Sequence, residues 1–161
     1  MLKEISTQAK IRFADCDPIG HLNNVKYLEY MLNAREDHVE QQFGFTYEEF
    51  TRQTGYTWIA IQNEIAYLKE VKYNSTVKIS SHLIDFTGRT SKVEVRMTNL
   101  EGTITHAVLW ITVIYFNLKT RKSELPSEET VNTFIPFLDP ISHNQFSDRV
   151  AFFRASNKKI I

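Results

Sequence analysis

The sequence predicts an α+β fold, one long helix packed against a curved antiparallel sheet of about five strands. Three observations predict it. Apolar residues recur at three-to-four spacing from Val25 to Val39, the period of a helix. One stretch before that segment and four after it carry the alternation, or the β-branched and aromatic content, of strands. The 161 residues, 42% of them hydrophobic and 24% charged, suit one domain that buries a sizeable core.

From the N-terminus, Ile5, Thr7, Ala9, Ile11 and Phe13 alternate with polar neighbours, the pattern of a half-buried strand that stops near Asp15. Pro18 and Gly20 then break regular structure, and Asn23 or Asn24 caps a helix whose apolar positions are Val25, Leu28, Leu32 and Val39. A second stripe, Tyr27, Tyr30, Met31 and Ala34, makes this helix apolar over more than one face, so a sheet should wrap around much of it. Phe43-Gly44 stops it. Tyr47 to Gln53 suits a short helix. Tyr56 to Leu68, Ser75 to Phe86, Arg89 to Asn99 and Thr103 to Phe116 follow as a meander of long antiparallel strands, with turns at Thr87-Gly88 and Glu101-Gly102. Ser127 to Phe134 suits another short helix. Residues 1–135 form the domain, and residues 136–161 form a tail without a clear period. Its Phe146, Val150, Phe152 and Phe153 should pack on the domain or on an oligomer partner.

Nineteen basic residues balance nineteen acidic ones, so no overall field exists to hold nucleic acid or an anionic membrane. The longest apolar run, Ala107 to Phe116, falls far short of the roughly 20 residues of a membrane helix. Met1-Leu2-Lys3-Glu4-Ile5 enters strand-like alternation without an apolar signal core, and Cys16 has no second cysteine to pair with. A cytoplasmic protein is expected.

The densest group of chemically capable residues is Asp15-Cys16-Asp17-Pro18-Ile19-Gly20-His21-Leu22-Asn23-Asn24, which runs from a strand end through a turn to a helix start. A calcium loop starting at Asp15 would put Ile19 fifth and Lys26 twelfth, where oxygen ligands are required, so calcium fails. His38, His82, His106 and His143 show no paired ligand spacing, and no metal site is expected. Two flanking carboxylates disfavour a Cys16 thiolate, which leaves that residue a packing role. Asp15 is expected to orient the loop, and His21 to stabilise or orient the carboxylates.

The string Asp-x-Asp-x-x-Gly-His-x-Asn-Asn-x-x-Tyr, set between a strand and a long helix that a sheet follows, resembles the hotdog-fold acyl-CoA thioesterases related to 4-hydroxybenzoyl-CoA thioesterase. The resemblance covers roughly residues 5 to 125, and Glu64-Ile65-Ala66-Tyr67-Leu68 is a weaker echo of it. Where the family often has a Pro and a Gly-Asp turn, this chain has Glu70 and Asn74-Ser75, a departure confined to the connection between two strands. The resemblance implies a hotdog fold, an acyl-CoA substrate, Asp17 as the catalytic carboxylate and the backbone amide of Asn24 as the holder of the thioester carbonyl. It implies substrate contacts at the Gly88-Arg89-Thr90-Ser91 turn and a homodimer or homotetramer. Tyr27, one helical turn on from Asn24, is expected to be half core and half acyl-pocket wall, and Trp58 with Tyr56 either lines an acyl pocket or, as expected first, fills the core under the sheet. No cofactor is implied, coenzyme A being part of the substrate. Rival readings are an acyl carrier protein thioesterase and a non-catalytic acyl-CoA-binding oligomer.

The chemistry is coherent with that assignment. Thioester hydrolysis needs a nucleophile or an activated water on one side of the carbonyl and donors where the oxyanion forms on the other. A strand end beside a helix start supplies both, because first-turn amides lack intrahelical acceptors and lie at the positive end of the helix dipole.

Overall fold

The computed structural model describes residues 2–160. An antiparallel sheet curls around one face of a long helix, the hotdog arrangement that the resemblance implies. The strands are β1 (Ile5–Lys10), β2 (Tyr56–Tyr67), β3 (Thr76–Phe86), β4 (Thr90–Thr98), β5 (Thr105–Asn117) and the short β6 (Lys122–Ser123); the helices are α1 (Asn24–Phe43), α2 (Tyr47–Thr54), α3 (Glu128–Phe134) and α4 (Phe146–Ile160). Spatial order is β1-β3-β4-β5-β2, with β6 paired to the end of β5.

That order corrects the expected meander. β3, β4 and β5 are hairpin neighbours, but β2 pairs with β5 along its whole length and forms one edge of the sheet. The first strand is also shorter than its alternation suggests: it ends at Lys10, and Phe13–Asp15 folds into a single 3-10 turn that aims the following loop at the start of α1.

Helix α1 begins at an Asn23 cap and ends at Gly44, whose φ of 77° is the left-handed conformation in which glycine avoids a side-chain clash. Its apolar positions are not equally buried. Tyr27, Met31, Ala34 and Val39 are buried together with Arg35 and His38, and Leu28 packs against the core, whereas Val25 is 74% exposed and Leu32 38%. The curled sheet wraps the side of the helix that carries these buried residues. Against that side stand Val77, Ile79 and Leu83 of β3, Val93, Val95 and Met97 of β4, and Ala107, Leu109 and Ile111 of β5.

The other face of the sheet is covered by α4, a helix inside the segment expected to be an aperiodic tail. Its Phe153 packs with Ile84, Val108 and Trp110, and Phe146 and Val150 join them. The run Ala107 to Phe116 is continuous because most of it is buried on both faces, a pattern otherwise typical of parallel sheets. No helix among the described residues is long and apolar enough to cross a membrane.

Candidate active site

The loop after β1 is shaped by its own backbone. The Gly20 amide donates to the Asp17 carbonyl at 3.0 Å and the Asp17 amide to the His21 carbonyl at 2.8 Å, closing a turn in which Gly20 has φ 83°. The turn is then sewn to the segment before β3. The Leu22 amide donates to the Val71 carbonyl and the Tyr73 amide to the Gly20 carbonyl, each at 2.8 Å.

Within this frame the Asp17 carboxylate is held by one oxygen. Its Oδ1 accepts the Ile19 and His21 amides, both at 3.0 Å, while Oδ2 has no partner among the described residues. His21 thus positions Asp17 through its main chain. Asp15 is engaged differently: its Oδ2 accepts the Tyr30 hydroxyl at 2.6 Å, Lys26 lies 3.7 Å from its Oδ1, and its carbonyl accepts the Asn23 amide at 2.9 Å. These bonds tie the loop to α1, the orienting task expected of that residue.

The helix start adds a donor. Asn23 Oδ1 accepts the Val25 amide at 3.5 Å and the Asn23 carbonyl accepts the Lys26 amide at 2.8 Å, whereas the Asn24 amide, first in the helix, has no acceptor among the described residues. Asp17, His21, Asn24 and Tyr27 line one open cleft of about 240 Å³ with Tyr67, Leu68, Lys69 and Glu70. Tyr27 is almost fully buried and meets Tyr67 edge to face at 5.1 Å; burial raises the pKa of its hydroxyl, so it stays neutral. Tyr67 donates its hydroxyl to the Asn24 carbonyl at 3.2 Å. His106 has its pKa lowered by burial, so its neutral ring donates from Nδ1 to the Lys69 carbonyl at 3.1 Å and stiffens that wall. Glu70 is held below the usual carboxylate range by its own backbone amide and then by Lys69, His21 and Lys72.

The remaining residues predicted for the site lie elsewhere in the chain. Trp58 and Ser91 line a separate apolar cavity beneath the C-terminal half of α1. Gly88, Arg89 and Thr90 turn at the far end of β3, a strand of eleven residues and so about 35 Å long. Arg89 donates there to the Ser123 carbonyl and hydroxyl, both at 3.1 Å. Sequence reasoning missed Lys69 and Glu70 as cleft residues, and it used Tyr67 and Leu68 only as part of a family echo. They reach the cleft because β2 ends beside the start of α1, a pairing no local pattern reports. Among the described residues no three His, Cys, Asp or Glu side chains gather as a metal site.

Residues 11–134 match the family model of the thioesterase-like superfamily. The chain is 27% identical over 120 residues to the long-chain acyl-CoA thioesterase FadM of Escherichia coli strain K12, covering 74% of this chain and 88% of that protein. Its fold is similar to that of the probable thioesterase YbaW of Escherichia coli, with a TM-score of 0.72, 24% identity and coverage of 83% of this chain and 98% of that one. A Staphylococcus aureus protein solved in complex with CoA has a TM-score of 0.76 at 15% identity, covering 90% and 92% of the respective chains.

Proposed function

Because the chain belongs to the thioesterase-like superfamily, we propose that it hydrolyses an acyl-CoA to a free carboxylic acid and coenzyme A, with Asp17 as its working carboxylate. The observation that carries the reading is the meeting of two groups in one cleft: a carboxylate with Oδ1 pinned by two amides and Oδ2 unengaged, and the Asn24 amide at a helix start. A thioester carbonyl seated between them would have its developing oxyanion on the Asn24 N–H. Its carbon would face Oδ2, which either bonds to it or takes the proton of a water that does. In both courses the C–S bond breaks and coenzyme A leaves as the thiolate, which takes up a proton; where Oδ2 has bonded to the carbon, water then hydrolyses the mixed anhydride to release the acid and restore the Asp17 carboxylate. Hydroxylamine separates the two: once its direct reaction with the thioester is subtracted, enzyme-dependent hydroxamate marks a mixed anhydride on Asp17, and direct attack by water yields none. The acyl-CoA substrate class is supported by the names of the Escherichia coli relative and of the CoA-bound structural neighbour.

The functional unit is a homodimer joined along β2. Among the described residues this edge strand has no neighbour on its outer side, and Ile59 and Ile61 stand 37% and 56% exposed on it, an edge that proteins commonly cover. Antiparallel pairing of two β2 strands would bring the start of the second copy's β2 beside Tyr67. The Gly88–Ser91 turn travels with that end, because the Tyr115 amide donates to the Arg89 carbonyl at 2.9 Å and Tyr56 stacks on Tyr115. From there it can meet the coenzyme A portion of the substrate, which it cannot do within its own chain.

The deciding experiment is thiol release from a panel of acyl-CoA thioesters by wild type and Asp17→Asn. The variant should bind a non-hydrolysable acyl-CoA within a few-fold of wild type and turn over on the order of 1,000-fold more slowly or worse. Normal turnover by Asp17→Asn would remove Asp17 from the chemistry. Failure of wild type to release thiol from any acyl-CoA would favour the non-catalytic binder.

A further inference from the structure

A second cavity, larger than the Asp17 cleft, lies apart from it. It occupies about 350 Å³ between the C-terminal half of α1, α2 and the helix-facing side of the sheet, with Leu32, Val39, Phe43, Phe50, Phe86 and Val113 among its walls. That volume lies at the lower end of the range for small-molecule sites, and it shares no lining residue with the cleft.

Its polar groups are not arranged as a packing void requires. Arg35 is on the wall, 8% exposed, with Nη1 donating to Ser81 Oγ at 2.9 Å. No carboxylate among the described residues lies within ion-pair distance of it; Glu36 also lines the cavity but is exposed and makes no ion pair with Arg35, and Asp37 is exposed. His38 supplies no counter-charge. It shares Ser81 Oγ at 2.7 Å and contacts Thr7 Oγ1 at 3.0 Å, and burial, followed by the Arg35 charge, brings its pKa down to about 4, so it is neutral. A guanidinium buried without an anion is costly unless something pairs with it.

Two further polar atoms on the same wall, Trp58 Nε1 and Ser91 Oγ, are buried without a hydrogen-bond partner. Ser81 faces Val95 across the ladder, and Ser91 is on the same side of β4 four residues earlier, about 13 Å from the Arg35 anchor. Apolar cavities stay dry and carry no such orphans, and each buried orphan in a folded protein calls for a cause.

We propose that this cavity binds an aliphatic molecule bearing a carboxylate, with the carboxylate paired to Arg35 and the chain running along Leu32, Phe43 and Val93 towards Trp58 and Ser91. The guanidinium supplies charge-assisted donors, and the apolar walls supply burial for the chain. Two sources share that chemistry: a free carboxylic acid, which is also the product class of thioester hydrolysis, or the far end of an acyl group that carries a second carboxylate. The inference does not depend on Asp17 chemistry.

The test titrates the full-length protein with octanoate and with octan-1-ol by calorimetry. Wild type should bind octanoate at least about tenfold more tightly. Arg35→Gln should lose that preference while keeping octan-1-ol binding, Arg35→Lys should retain part of it, and Asp17→Asn should bind octanoate as wild type does. Equal binding of acid and alcohol by wild type, or an unchanged preference in Arg35→Gln, overturns the proposal. The wild-type comparison decides even if the Arg35 variants do not fold. Repeating the titration with a saturating thioether analogue of octanoyl-CoA distinguishes the sources. Unchanged octanoate affinity identifies a free-acid site. Displacement together with a lower KM for ω-carboxyoctanoyl-CoA than for octanoyl-CoA, a difference that Arg35→Gln abolishes, identifies the acyl terminus. Displacement without that KM difference overturns the assignment to Arg35. Full activity of Asp17→Asn would sink the proposed active site and leave the octanoate preference untouched.

Discussion

Arg149 of α4 grips Glu94 of β4 with two hydrogen bonds, Nη2 to Oε1 at 2.7 Å and Nε to Oε2 at 2.8 Å, on the side of the sheet away from α1. Glu94 has no exposed surface, and it also accepts Trp110 Nε1 at 2.8 Å and lies 3.1 Å from His82 Nε2, whose ring faces Asp139 at 2.8 Å on its other side. The network fastens the C-terminal helix to the sheet. Glu94→Ala would leave the Arg149 guanidinium and the Trp110 N–H without their acceptor. A loss of about 3 to 5 kcal/mol is expected by urea denaturation, and Arg149→Ala in the same background should add less than its effect alone. Additive losses would show that the pair is not coupled.

Stability should fall on both sides of a pH window set by this network. Burial by itself would push Glu94 up, but hydrogen bonds from Arg149, His82 and Trp110 outweigh it and hold the carboxyl at about 2, against an ordinary value of 4.5. Its contribution is therefore complete above 4.5 and disappears as pH falls towards 2. Burial pulls His82 down, yet its hydrogen bonds to Glu94 and Asp139 win and raise it above 6.5. That contribution is complete below 6.5 and is lost as pH rises through the raised value. Melting temperatures across pH should show both flanks, with His82→Gln flattening the alkaline one and Glu94→Ala the acid one.

Asp17 has a structural and a chemical oxygen, and two substitutions separate them. Asn retains an oxygen at the Oδ1 position for the Ile19 and His21 amides; Ala leaves both without it. Thermal melts are expected to place Asp17→Asn near wild type and Asp17→Ala about 1 kcal/mol lower, with thiol release lost in both. An Ala variant as stable as wild type would mean that the two amide bonds do not hold the loop.

Gly20 is a test of the turn itself. A methyl group there meets nothing within 4 Å, so the cost of Gly20→Ala comes from φ 83° alone, about 1 to 2 kcal/mol. Because the turn carries the His21 amide to Asp17, kcat should fall with stability. Gly20→Asn, which tolerates the left-handed region better, should lose less of both.

The cleft was legible as far as it is contiguous in the chain. Asp17 to Asn24 is a strand exit, a turn and a helix cap in one string, and the signals that announce them, Pro18, Gly20 and Asn23, act over a few residues. The same is true of the cap at Gly44 and of the strand segments with glycine turns at Gly88 and Gly102. The α+β class and the positions of the long helix and main strands followed from period and turn chemistry alone.

Tertiary structure alone decided what those elements meet. Alternation in β2 cannot say whether its neighbour is β3 or β5, yet the placement beside β5 is what brings Tyr67, Lys69 and Glu70 to Asp17. The apolar positions of α1 look alike in sequence, yet Tyr27, Met31, Ala34 and Val39 are buried while Val25 and Leu32 are exposed. No local pattern in the sequence marks Arg35 or Glu94 for burial. Their burial, one without an anion and the other bound by Arg149, arises from packing between segments far apart in the chain, for which no neighbouring residue carries a signal.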